Sequence, residues 1–369
     1  MSTQINSAQD TGAAPAKAAA IAAARGEQPP PQQELPPEAA LTQMIFGAFV
    51  SQAISVAAEL GIADLLAGQP QTVAALAAAT ATHERSLYRV LRTLASVGVF
   101  RETGEKVFAL TPLAAPLRSD APNSMRNGAI FMGAEWHWRV YGEMTHSVRT
   151  GKSAWSRAHG AEVFDYFAGH PEHGEVFNRA MTDMSAAAAA AITEAYDFRG
   201  VEKLVDVAGG HGYLLAAVLR ANPGARGVLF DLPQVVEGAP ATLEREGVRD
   251  RVELAAGDFF SSVPEGADAY MMKHIIHDWD DERALLILNN IRRAMRDDGR
   301  VLICETVVPE GNEPHFGKLM DLEMLVSPGG VERTEREFGE LLAQAGLELK
   351  RVTPTRSYLS VVEAAKRAK

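Results

Sequence analysis

The sequence predicts an α/β chain: a doubly wound, Rossmann-like parallel sheet in the C-terminal half, preceded by a helical module with a winged-helix-like order of elements. Three observations carry this. After Gly200, short β-rich runs alternate with amphipathic helical stretches, the signature of parallel strands covered on both faces. Before about Leu110, apolar residues recur at three- and four-residue spacing and end in a hairpin pattern. The length of 369 residues, with 47% hydrophobic and 22% charged residues, suits about two globular domains.

In chain order, residues 1–37 are rich in Ala, Pro and Gln, with Pro29 to Pro31 and Pro36-Pro37 near the end. They offer too little bulky apolar surface to offset the entropy of ordering, so a disordered tail is expected. Residues 38–121 form the winged-helix-like module. Phe46, Phe49, Val50, Ala53, Val56, Ala57 and Leu60 mark one helix, ended by Gly61. Leu87, Val90, Leu91, Leu94 and Val97 mark another, stopped by Gly98, and a hairpin turns near Thr103-Gly104. Residues 122–200 read as an aromatic-rich helical connector. From residue 201 onward, strands are expected at Lys203 to Val207, Gly227 to Phe230, Arg251 to Ala255, Ala269 to Met272 and Arg300 to Thr306, with helices at His211 to Ala221 and Glu282 to Met295.

A net charge of -11 argues against nucleic acid or an anionic membrane as partner. The helix-turn-helix order raises a DNA-binding regulator as a rival reading, and its second helix does carry Arg85, Arg89 and Arg92. The adjoining Arg101, Glu102, Glu105 and Lys106, however, sum to no net charge, so a dimerisation module is the preferred reading. The single cysteine, Cys304, rules out a disulfide within one chain and a Cys-based zinc site, and its apolar neighbours mark it as a buried strand residue. No stretch was expected to approach the roughly 18 apolar residues of a membrane span. The run Ala18 to Ala24 is a poor signal-peptide core, so a cytoplasmic protein is expected.

In a doubly wound sheet, ligands bind beyond the carboxyl ends of the strands. The first strand ends in Asp206-Val207-Ala208-Gly209-Gly210-His211-Gly212, a turn through which a ligand can approach the backbone. Asp231 ends the second strand, 19 residues after Gly212, where a carboxylate can accept both hydroxyls of a ribose. The third ends in Gly257-Asp258-Phe259-Phe260, which offers an acceptor for an adenine amino group and a ring for its face. The fourth runs into Lys273-His274-Ile275-Ile276-His277-Asp278-Trp279.

These stretches, with Phe230 to Pro233, Asp280 to Glu282, Cys304-Glu305 and Pro328 to Thr334, resemble the plant caffeate-type and bacterial natural-product O-methyltransferases. The resemblance covers about Glu38 to the end. It implies an S-adenosylmethionine-binding methyltransferase domain behind an N-terminal dimerisation domain, a homodimer, and a small aromatic substrate of specialised metabolism. It further implies that Asp206, Gly210, Gly212, Asp231, Leu232, Asp258, Phe259, Lys273 and Ser185 contact the cofactor. By the same resemblance Trp136, Phe164, Phe167, Phe177, Met181, Asp278 and Met324 line the acceptor site, although each of the apolar ones reads equally well as core. The family usually has glycine where this chain has Ala208, which puts the fit of that turn in question.

Methyl transfer to a phenol needs one catalytic group above all, a base, because a phenol with a pKa of about 10 is protonated at neutral pH. His277 is the candidate, with an ordinary imidazole mostly neutral at pH 7. Glu305 and Glu332 match the glutamates that flank the base in the family. No metal is expected, because Asp280 and Asp281 sit at a helix start, where capping explains them. An enzyme of this fold that uses the cofactor for hydroxylation or decarboxylation is the alternative.

Overall fold

The computed structural model describes residues 35–367; nearly all of the expected tail lies outside the described residues. The chain divides into two compact units, meeting at Ala134 and Glu135.

In the first unit, α1 (Pro37–Glu59) starts on a proline at its first turn and is followed by β1 (Gln71–Thr72), α2 (Val73–Ala79), α3 (Glu84–Ser96), β2 (Phe100–Gly104), β3 (Val107–Leu110) and α4 (Arg126–Gly133). Thr72 caps α2, accepting the Ala75 N–H. One face of α3 buries Leu87, Leu91 and Leu94, while Arg85, Arg89 and Arg92 are exposed. The strands form an antiparallel sheet in the order β1-β3-β2. α4 packs on α1: a Cβ on Gly133 would lie 2.2 Å from the Ser55 side chain.

One expectation about this unit fails. By length and composition, α1 is long and apolar enough to cross a bilayer. Its alanines and its Leu, Ile, Phe and Val residues keep the average high, while Thr42, Gln43, Ser51, Gln52 and Ser55 break up any unbroken apolar stretch. Leu41, Met44, Ile45, Phe46 and Phe49 on it are exposed.

The second unit opens with a helical layer: α5 (Glu135–Gly142), α6 (Met144–Thr150), α7 (Trp155–His159), α8 (Val163–Gly169) and α9 (Pro171–Ala195). The sheet follows, with β4 (Lys203–Val207), β5 (Arg226–Asp231), β6 (Val252–Ala256), β7 (Ala269–Lys273), β8 (Arg300–Glu305), β9 (Leu347–Pro354) and β10 (Ser360–Lys366). Between them run α10 (Tyr213–Ala221), α11 (Asp281–Ala294), α12 (Phe316–Val326) and α13 (Glu335–Gln344), with shorter turns. The strand order is β6-β5-β4-β7-β8-β10-β9. The first five are parallel; β10 runs antiparallel to both neighbours.

Alternation along the strands explains the two cores. Leu204, Leu229, Met271, Leu302 and Cys304 face one way, and Val205, Val207, Phe230, Tyr270, Met272 and Ile303 the other. Each buried large side chain stabilises by about 1.5–3 kcal/mol. Register then sets the functional edge. Val207 pairs with Phe230, Asp231 with Ala256, and Lys273 with Cys304, so the strands end along one line.

Candidate active site

At the end of β4, Asp206 is buried, and among the described residues its Oδ2 accepts no hydrogen bond. Burial pushes this carboxyl up to about 7, against the pull of Lys273. Lys273, ending β7, is pushed down to about 8 by the same burial, opposed chiefly by Asp206. The two thus form a coupled pair in a low-dielectric pocket. The turn after β4 takes left-handed backbone at Ala208 (φ 55), Gly210 (φ 60) and Gly212 (φ 80). Glycine adopts this freely and alanine does not, which is the physical content of the departure at position 208. The turn still closes, with the Ala208 N–H donating to the Phe230 carbonyl at 2.7 Å.

Asp231, ending β5, accepts the Gly210 N–H at 2.8 Å through Oδ2 and the Leu232 N–H at 2.7 Å through Oδ1. Two main-chain donors thereby fix its orientation while further lone pairs stay available. Leu232 itself is exposed. Asp258 is exposed and accepts the Phe260 N–H at 2.8 Å. Phe259 beside it packs edge-on against Phe260, at 4.7 Å, and Trp279, at 6.1 Å. Ser185 donates its hydroxyl proton to the Met181 carbonyl inside α9 at 2.7 Å, leaving its oxygen as an acceptor.

His277 sits on a 3-10 turn, Ile276–Asp278, directly after β7. Its ring is buried, with Nδ1 2.8 Å from Glu332 Oε1 and Nε2 3.5 Å from Asp278 Oδ1. Glu332 therefore orients the imidazole and fixes which nitrogen faces away from it. Glu305 acts differently from the expected flanking role. Its Oε1 accepts three main-chain N–H groups, from Ile275 (3.1 Å), Ile276 (2.6 Å) and His277 (3.2 Å). It holds the turn, not the ring.

Burial alone would lower the proton affinity of His277. Asp278, the Glu332 hydrogen bond and Glu305 outweigh it and raise the imidazole to about 9. The expectation of a mostly neutral ring at pH 7 is thus corrected: the chain's own carboxylates favour the imidazolium. Asp278 is pushed up to about 6 by burial, with His277 opposing. The neighbouring His274 is driven the other way, well below its ordinary value, by burial and by Lys273 and His277. It is held in left-handed backbone (φ 56), with Nε2 3.2 Å from the Tyr358 hydroxyl.

The aromatic residues divide into two sets. Trp136 and Phe167 are buried against each other (5.7 Å) and against Trp155 (6.1 and 5.5 Å), so they build the core of the helical layer. Phe177 stacks on Phe167 at 4.9 Å and stays half-buried, as does Met181 one turn further along α9. Phe164 is exposed and lies 6.1 Å from Trp279, the ring contact that ties α8 to the His277 turn. Met324 is buried on α12. Cys304 is buried in β8, where burial pushes its thiol up. Among the described residues, no group of three His, Cys, Asp or Glu side chains is placed to hold a metal. Asp280 caps α11, accepting the Arg283 N–H at 2.9 Å.

Two family models match the chain, an O-methyltransferase dimerisation domain over residues 42–120 and an O-methyltransferase domain over residues 141–348. The chain belongs to the O-methyltransferase family. This methyltransferase is 48% identical over 330 residues to a phenazine O-methyltransferase of Lysobacter antibioticus, covering 89% of this chain and 96% of that one. It is 32% identical over 312 residues to a phenazine-1-carboxylate N-methyltransferase of Pseudomonas aeruginosa, covering 85% and 92%. Among solved structures, a methyltransferase of calicheamicin biosynthesis bound to S-adenosylhomocysteine superposes with a TM-score of 0.81 at 37% identity, covering 90% of this chain and all of that one. The chain is an S-adenosylmethionine-dependent methyltransferase, and the residues present suit that cofactor. The unpartnered Oδ2 of buried Asp206 lies beside a turn whose glycines keep the backbone bare.

Sequence reasoning missed three groups of this site. Gly330 lies against the His277 turn, where a Cβ would sit 1.9 Å from the His277 carbonyl oxygen. Asp321 accepts the Glu332 N–H at 2.9 Å. Arg333 makes five hydrogen bonds, of which those to the Ile276 and Trp279 carbonyls flank His277, two reach Asp281 and one stays on its own loop at Val331. Gly330 and Arg333 fall inside the motif quoted above, but no spacing rule assigns them a partner. Asp321 carries no local signal at all.

Proposed function

We infer that this methyltransferase acts on a ring hydroxyl of a planar aromatic metabolite, with His277 as general base. The observation that carries the reading is the buried Nδ1–Glu332 hydrogen bond of 2.8 Å, which turns Nε2, 3.5 Å from Asp278 Oδ1, away from Glu332 to meet an acceptor. When bound, S-adenosylmethionine supplies an electrophilic methyl group.

The chain's residues do the rest. Asp231 accepts the ribose hydroxyls, Asp258 and Phe259 frame the adenine, Lys273 and Asp206 meet the adenosyl and methionine parts, and Gly210, Gly212 and Ser185 complete that side. Phe164, Phe177 and Met181, which keep exposed surface, contact the acceptor ring, and buried Trp136, Phe167 and Met324 support them. His277 takes the hydroxyl proton at Nε2, and Glu332 stabilises the imidazolium, so the acceptor oxygen reacts as an oxyanion. Holding the acceptor in line in a site closed to water supplies further acceleration.

A phenazine O-methyltransferase and a phenazine-1-carboxylate N-methyltransferase among the relatives support a flat, fused-ring acceptor, and O- and N-methyltransferases both occur among them. A base next to the acceptor favours oxygen here. A phenol must lose its proton to react well, whereas an aromatic ring nitrogen attacks without that step. The exposed apolar residues of α1 favour a homodimer through the dimerisation domain, with a second copy covering that face.

The test is S-adenosylhomocysteine release with matched acceptors, a hydroxyphenazine, a hydroxynaphthoate and the same rings with a nitrogen acceptor only. Turnover confined to the hydroxyl series supports the reading. Turnover of the nitrogen series alone would overturn it, and cofactor consumption without a methylated product would indicate other chemistry.

A further inference from the structure

The turn that carries His277 and the loop that carries Glu332 lie 55 residues apart in sequence, yet their side chains meet within the length of one hydrogen bond. The group that joins them is Arg333, whose side chain is only 3% exposed. Its Nη1 donates to the Ile276 carbonyl at 3.2 Å and to the Val331 carbonyl at 3.3 Å. Its Nη2 donates to the Trp279 carbonyl at 3.2 Å and to Asp281 Oδ1 at 2.7 Å, and Nε donates to the same oxygen at 3.2 Å.

One planar guanidinium therefore grips the main chain on both sides of His277 and ties it to the residue next but one before itself. Asp281 is free for this because Asp280 already caps α11. A lysine has three donors at one point and cannot span carbonyls spread around a plane. The main chain continues the seam, with Val331 N–H donating to the His277 carbonyl at 2.8 Å.

We propose that Arg333 is a positioning residue for the His277–Glu332 pair, holding the turn and the loop at the separation that lets Glu332 reach Nδ1. Its catalytic consequence rests on the reading of His277 as base; its structural consequence does not. Several groups face His277: Asp278 on its own turn, Lys273 and His274 at the end of β7, Glu305 at the end of β8, and Glu332 on the loop. Glu332 is the one among them that bonds Nδ1, and it stands on the segment that Arg333 anchors. Loosening the clamp withdraws Glu332, while Asp278 stays beside His277 on the turn they share and Lys273 and Glu305 stay with the strands that carry them.

The sign of the effect separates positioning from simple charge removal. Deleting a nearby cation raises the proton affinity of an imidazole; losing a carboxylate partner lowers it. The experiment titrates the imidazoles of the full-length, 15N-histidine-labelled protein by NMR, with the His277 signal assigned from His277→Gln. Thermal unfolding and S-adenosylhomocysteine affinity check that each variant is folded. In Arg333→Met the His277 midpoint is expected to fall by about one pH unit or more, towards that of Glu332→Gln, and kcat to fall about tenfold or more with the KM for S-adenosylmethionine unchanged.

Arg333→Lys keeps the charge and loses the fork, so it carries the test if the methionine variant does not fold; the same downward shift is expected. A midpoint that rises, or stays within about 0.2 unit of wild type, in a folded Arg333 variant overturns the proposal. A fallen midpoint with undiminished kcat supports positioning and rejects His277 as the base.

Discussion

Ala208 holds a left-handed backbone (φ 55) that costs an alanine about 1–2 kcal/mol. Ala208→Gly relieves that strain but adds about 0.4–1 kcal/mol of unfolded-chain entropy. The strain term is larger over most of that range, so the variant should be more stable by up to about 1.6 kcal/mol, read by chemical denaturation. A loss of stability would show that the methyl group packs usefully. At His277, the surrounding carboxylates hold the imidazole up to about 9, so the base must lose a proton before it can act. With S-adenosylmethionine limiting, the rate should climb as pH rises from 7 to 9. At saturating cofactor the sulfonium's positive charge disfavours the imidazolium, so the acid limb moves to lower pH. A rate independent of pH from 6 to 9 under both conditions would contradict a titrating base. His277, Asp231, Asp258 and Lys273 were legible in sequence because each ends an apolar strand or follows it within a few residues, where a polar residue stands out. The protonation state of His277 was not legible, since it depends on how deeply the ring is buried and on Glu332, which joins the adjacent Asp278 from 55 residues away.

At the scale of elements, the loop before α13 lies against the His277 turn with no room for a side chain. A Cβ on Gly330 would meet the His277 carbonyl oxygen at 1.9 Å and the Asp278 carbonyl carbon at 2.5 Å. Both are main-chain atoms, so the loop itself must move. Gly330→Ala is expected to cut kcat by about tenfold to a hundredfold, with S-adenosylhomocysteine affinity, read by calorimetry, near wild type; unchanged kcat would contradict this packing. The five parallel strands could be read from periodicity because each is a nearly continuous apolar run between turn residues. The antiparallel pair β9 and β10 was not read. Exposed or half-buried charges interrupt it, as at Glu348, Lys350 and Arg351, which blurs the pattern of an edge hairpin. The helix α1 was read as a helix, but its exposed apolar surface was not, because periodicity shows which residues share a face and not what covers it.

For the whole molecule, the fold class followed from the alternation of strands and helices, and the family from motifs at consecutive strand ends. Substrate class depended on side chains from separate helices and was reachable only by resemblance. Leu41, Met44, Ile45, Phe46 and Phe49 leave an apolar face on α1 of the kind that marks an interface. Phe46→Glu with Phe49→Glu should convert a dimer to a monomer in sedimentation velocity; a wild-type monomer at micromolar concentration would contradict the dimer. We propose that His277, as base, activates an aromatic hydroxyl. The most direct measurement is the single-turnover rate of methyl transfer to a hydroxyphenazine by wild type and His277→Gln, at saturating S-adenosylmethionine. A fall of about a hundredfold or more in the variant, with cofactor affinity intact, is expected. Equal rates in the two proteins would contradict it.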